Sequence, residues 1–113
     1  MVDVSPERFE ELVADALDSI PPELGSYMDN VAVFVEDVPP RRGLLGLYVG
    51  VPLTARGSSY AGVMPDRITI YRRPICALAV TEDEVVSYVR TTVIHEVAHH
   101  FGIDDPRLRE LGW

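Results

Sequence analysis

From Thr81 to Gly102 the chain carries a helix with a marked start, a marked end and no glycine or proline between them. Thr81-Glu82-Asp83-Glu84 has the capping-box form, a threonine followed three residues later by glutamate, and its acidic cluster suits the positive end of a helix. VVSYVRTTVIHEVAHHF then runs on to Gly102, which supplies the left-handed residue that commonly stops a helix. All three histidines, His95, His99 and His100, fall in the last turns of this one element.

The rest of the chain is enough for one core. With 113 residues and 47% hydrophobic content, a single domain spanning 1–113 is expected. Ser5 can cap a first helix with Pro6 at its first position, and Phe9, Leu12, Val13, Ala16, Leu17 and Ile20 recur at helical spacing until Pro21-Pro22 ends it. A short turn or helix covers 22–29. VAVFVE (31–36) has the β-branched and aromatic content of a buried strand. Between 39 and 66, proline and five of the eight glycines mark loop, within which LLGLYVGV supplies a second strand, and RITIY (67–71) alternates as a third. Asp105-Pro106 restarts a short helix over RLRELG.

Composition narrows the partners. The net charge of −8 repels nucleic acid phosphates and acidic membrane surfaces. The longest near-apolar run, LLGLYVGVPL, is half of what a membrane span needs, and MVDVSPERFEEL lacks the pattern of a secretion signal, so a cytoplasmic monomer is expected. All ten basic residues are arginine; the pairs Arg41-Arg42 and Arg72-Arg73 read as solvated surface. Cys76, the single cysteine, reads as a small buried apolar residue.

The histidines carry the chemistry. At about 100° per residue, His95 and His99 share one helix face, one turn apart, so both imidazoles can reach one ion. Val86, Val93, Ile94, Val97 and Phe101 fall on the other side of the same wheel as an apolar back. Glu96 lies beside His99 but offset from the pair, where a general base for a metal-activated water belongs. Gly102 permits a reversal that returns the chain over the histidines, so that Asp105 can close the site. Asp104 is the competing third ligand, Asp105 can cap the last helix with one oxygen and still offer the other to an ion, and His100 reads as a hydrogen-bonded flank. Composition alone would produce roughly 0.006 HExxH matches in a chain like this, so chance is a poor account of the motif.

HExxHxxGxxD, with GLYVGVPLTARGSSY and MPDRITIYRRPI upstream, resembles the signature and element order of the small bacterial zincin-like metallopeptidases. The first nine residues of the signature are also similar to the metzincin proteases, and the aspartate in the third ligand position to the snapalysins. Metzincins place a methionine turn after the motif, whereas Met1, Met28 and Met64 precede it here. The resemblance implies one zinc ion held by His95, His99 and Asp105, with Glu96 as base. It also implies a minimal zincin-like α+β fold: a mixed sheet of three to four strands on a long metal-site helix and an N-terminal helix, an edge strand bordering the cleft.

The expected activity is hydrolysis of a peptide or flexible protein substrate, with RITIY available for strand addition and Tyr60, Arg56 or Arg67 as candidate oxyanion donors. The alternative is a non-catalytic metal-binding or protein-interaction module, although closed structural zinc sites usually have four protein ligands. RNA hydrolysis is disfavoured by the glutamate after His95 and by the charge.

Overall fold

The computed structural model describes residues 1–20, 22–25, 28, 30–52 and 65–111. Its elements run α1 (Pro6–Asp18), α2 (Pro22–Gly25), β1 (Val31–Glu36), β2 (Gly46–Val49), β3 (Asp66–Tyr71), α3 (Arg72–Leu78), α4 (Glu82–His100) and α5 (Asp105–Leu111). The fold is α+β, with a three-stranded mixed sheet in the order β1-β3-β2. β1 runs parallel to β3, placing Val33 opposite Ile68 and Val35 opposite Ile70; β2 runs antiparallel on the other side, placing Gly46 opposite Ile70 and Tyr48 opposite Ile68. RITIY is therefore central, and both of its edges are already paired. Strand addition to β3 is excluded by that pairing, and β2 is the strand nearest the helix that carries the histidines.

Local signals explain the helices. The Ser5 hydroxyl accepts from the Arg8 N–H at 3.1 Å and the Thr81 hydroxyl from the Glu84 N–H at 3.2 Å, each satisfying a donor that a helix start leaves open. α4 ends in a Schellman arrangement: the Ile103 N–H donates to the Ala98 carbonyl and the Gly102 N–H to the His99 carbonyl, both at 2.9 Å, with Gly102 at φ 86°. α3 was not expected from RRPICAL. Pro74 falls within its first turn, where no intrahelical N–H is required, so proline starts this helix instead of breaking it.

One face of the sheet meets α1, α3 and α4 in a single core of Phe9, Leu12, Val13, Ile68, Ile70, Ile75, Val85, Val89, Val93 and Val97. Cys76 is buried there, as its apolar character suggests. The α4 stripe differs from the simple wheel. Thr92, Glu96 and His100 are buried along with the valines, while Ile94 is 39% exposed. The cause is that α4 is covered from two directions, by α1 and α3 and by β2 with β3. Arg72 is likewise buried instead of solvated, donating to Asp37 Oδ1 at 2.8 Å and to the Val4 carbonyl at 2.9 Å, and so ties the N-terminal segment to the end of β1. Among the described residues no helix is long and apolar enough to cross a membrane.

Gly46 sets how closely β2 lies on α4. A Cβ there would stand 2.7 Å from Thr92 Cγ2 and 3.1 Å from Glu96 Cγ, both inside ordinary contact. Gly46→Ala should therefore push β2 off the helix and destabilise the protein by about 1–3 kcal/mol in urea unfolding; an unchanged midpoint would mean that the strand yields without cost.

Candidate functional site

The site lies at the C-terminal end of α4, where the chain turns at Gly102 and comes back through Asp104 and Asp105. His95 and His99 are one turn apart and half-buried, their rings edge to face with centroids 6.5 Å apart. His99 is held from both sides. Its Nε2 is 2.9 Å from Asp105 Oδ1 and its Nδ1 is 3.2 Å from Glu96 Oε1, so each ring nitrogen faces a carboxylate oxygen. Glu96 is only 8% exposed, packed beneath β2 at Gly46.

The two aspartates divide their work. Asp104 Oδ1 accepts from the Arg107 N–H at 3.1 Å, the bond of a helix N-cap, and thereby starts α5. Capping falls to Asp104 and not to Asp105, whose carboxylate is turned to His99. The cap of the last helix is therefore Asp104, one residue before the position the sequence suggested.

Electrostatics follow from these contacts. Burial pushes the Glu96 carboxyl up from its ordinary value, and the neighbouring His99 and His95 offset only part of that. For His99, burial disfavours the imidazolium, but the hydrogen bond to Asp105 and the charge and hydrogen bond of Glu96 outweigh it and raise its pKa. Asp105 is lowered, first by its hydrogen bond to His99. A buried carboxylate of raised basicity beside a histidine is the combination a general base requires.

Among the described residues no three His, Cys, Asp or Glu side chains converge as a ready metal-holding group. His99 and Asp105 instead grip each other directly, with His95 a turn away. The donor set nevertheless suits zinc: two imidazoles and a carboxylate are common ligands, and two ligand atoms on a tetrahedral zinc stand about 3.3 Å apart, close to the 2.9 Å seen between His99 Nε2 and Asp105 Oδ1. The His99 Nε2 lone pair becomes available on loss of one proton. Beside His99 opens a shallow depression of about 240 Å³, lined by Tyr48, Pro52, Gly102, Ile103 and Asp104.

Arg67 is not at the site. It sits on the opposite sheet face, 4.1 Å over the Phe34 ring and paired with Glu36 at 3.1 Å. Tyr60 and Arg56 lie outside the described residues. The sequence reading missed how deeply His100 is placed: it is fully buried, and its Nδ1 is 3.0 Å from Asp66 Oδ2 on β3. Its hydrogen-bonded character was expected, but a partner 34 positions away leaves no local signal.

Residues 28–113 match the family described as zincin-like metallopeptidase. Among solved structures, a conserved hypothetical protein from Thermus thermophilus is similar, at 24% identity over 96% of this chain and 97% of that one, with a TM-score of 0.57. That likeness concerns the fold. No curated protein matches the chain.

Two outcomes test the geometry. Asp105→Ala should weaken zinc binding by more than the roughly 10–100-fold caused by loss of an outer partner, whereas Asp104→Ala should leave affinity nearly intact and lose about 1 kcal/mol of helix capping; isothermal titration and thermal melts rank the two, and the reverse order refutes the assignment. Zinc, if held by His99, would also have to displace its proton. Because that pKa is raised, affinity should fall as pH drops through a value above that of a free imidazole, while the metal-free protein keeps the full stabilisation of protonated His99 below the unfolded pKa and loses it as pH rises through the folded one. Chelator competition across roughly pH 5–8 should show the loss of affinity, and a flat profile contradicts it.

Proposed function

The chain belongs to the zincin-like metallopeptidase family, and we propose that it is a zinc-dependent peptidase in which His95, His99 and Asp105 hold one metal ion and Glu96 is the general base. The observation that carries this reading is the approach of Asp105 to His99 beside a buried Glu96. When bound, zinc lowers the pKa of a coordinated water toward neutrality and polarises a carbonyl.

The chain's own residues account for the rest. Asp105 turns His99 Nε2 toward the shared ligand position, and Glu96 accepts from His99 Nδ1–H, fixing which nitrogen is offered to the metal. Glu96 has a second oxygen. With its basicity raised by burial, it takes a proton from the attacking water and returns it to the leaving amine. Gly46 brings the backbone of β2 directly over this carboxylate, so an extended peptide paired to β2 would lie along the site. The substrate class this favours is a peptide or flexible protein segment that can adopt a strand. The depression next to His99 would then receive one of its side chains.

A second reading keeps the zinc and drops the turnover. Glu96 could serve only to orient His99 through Nδ1, as outer carboxylates do at structural sites. Glu96→Gln separates the two, since the amide oxygen still accepts from Nδ1–H but is not a base. The peptidase should then hold zinc and its fold while losing about 10²–10⁴ in rate on any peptide the wild type cleaves in an unbiased library. Full activity in Glu96→Gln, or a zinc-loaded wild type that cleaves nothing, transfers the case to a binding module.

A further inference from the structure

Behind the histidine pair lies a buried polar cluster that the proposed chemistry does not use. Asp66, 2% exposed at the start of β3, accepts from the Tyr48 hydroxyl on β2, from the Val51 N–H at 3.2 Å and from His100 Nδ1–H at 3.0 Å. The backbone at Gly50 presses so closely on this carboxylate that a Cβ there would collide with it. One side chain therefore gathers β2, the turn after it, and the last residue of α4.

The cluster is costly. His100 is fully buried, and its Nε2 has no hydrogen-bond partner among the described residues. A buried nitrogen without a partner loses its hydration with nothing in return, and a leucine of similar size would avoid the cost. What the histidine has and leucine lacks is the N–H that Asp66 receives. His100 is also the last helical residue before the Phe101–Ile103 cap, and its neighbour His99 is the residue that meets Asp105.

We propose that Asp66 is a positioning residue of the site: by anchoring His100 it fixes the final turn of α4, from which His99 and the Gly102 reversal bring Nε2 and the Asp105 carboxylate to one point. This inference rests on the zinc-site reading for its functional meaning, but the latch itself is a property of the metal-free protein. The side chains of β2, β3 and the helix end are joined through one carboxylate, so a shift of the sheet is passed to the ligand pair through a bond and not only through packing.

Two substitutions rank oppositely under the two explanations. His100→Leu nearly keeps the volume but has no donor, whereas His100→Asn is smaller but carries an N–H on the same γ-carbon that donates to Asp66. Amide hydrogen exchange of Phe101, Gly102 and Ile103, measured without metal, should accelerate by about tenfold or more in His100→Leu and much less in His100→Asn. Zinc affinity by chelator competition should follow the same order, with His100→Leu about 10–100-fold weaker. If His100→Asn is the more disturbed of the two, packing and not the latch fixes the turn, and the proposal fails. If His100→Leu does not fold, nitrogen NMR of the wild-type imidazole decides: a proton resident on Nδ1 supports the latch, and one resident only on Nε2 overturns it. Exchange that follows the proposed order in a protein that binds no zinc would uphold the latch as a structural device, and it would refute both its role in presenting metal ligands and the zinc reading.

Discussion

The contact that sets the environment of Glu96 is that of β2 with α4 at Gly46, where a strand backbone rests on Thr92 and Glu96 without an intervening side chain. The burial of Glu96 depends on it. It removes Glu96 from water, which raises the basicity of the carboxylate. A β-carbon at this position would separate the sheet from the helix and re-expose the glutamate.

Charge is arranged with similar economy at the helix end. α4 terminates with its carbonyl ends near His99 and His100, where positive charge is favoured, and begins with Glu82, Asp83 and Glu84, where negative charge is. The two aspartates after Gly102 then do separate jobs because they sit at adjacent positions of a starting helix. The N-cap orientation of Asp104 directs its oxygen along the new helix, and the next side chain points back at His99. Neither job requires the net charge of the chain to be negative, and the dense acidic surface is independent of the site.

The elements with local signals were legible. Ser5, Thr81 and Gly102 marked the ends of α1 and α4 because capping is decided within a single turn of chain. VAVFVE read as a strand because β-branched and aromatic side chains suit a pleated surface, but its expected burial is not met: β1 ends the described sheet, its residues are only partly buried and Phe34 is 41% exposed. The HExxH spacing put His95 and His99 on one face because a helix has fixed geometry. What failed depended on distant chain. RITIY was read as available for pairing, but its neighbours on both sides come from segments well before it in the sequence. The apolar wheel of α4 misplaced Ile94 because a helix covered from two directions has no single back. α3 was hidden because Pro74 has opposite meanings at the start and in the middle of a helix.

The relation between core and site bears on what kind of metal centre the proposed zinc site would be. A structural zinc site commonly supplies the stability that a small domain lacks, and its ligands then stand in for a core. Here Phe9, Ile68, Ile70, Ile75, Val85, Val89 and Val93 are fully buried in a cluster shared by the sheet and three helices. His99, Glu96 and Asp105 also satisfy one another by hydrogen bonds at the C-terminal end of α4. An ion bound there would add stability only by mass action, about 4 kcal/mol at a thousand times its dissociation constant. On the zinc reading proposed above, three protein donors with a carboxylate of raised basicity beside them would leave a replaceable fourth ligand position, where a reacting molecule would enter.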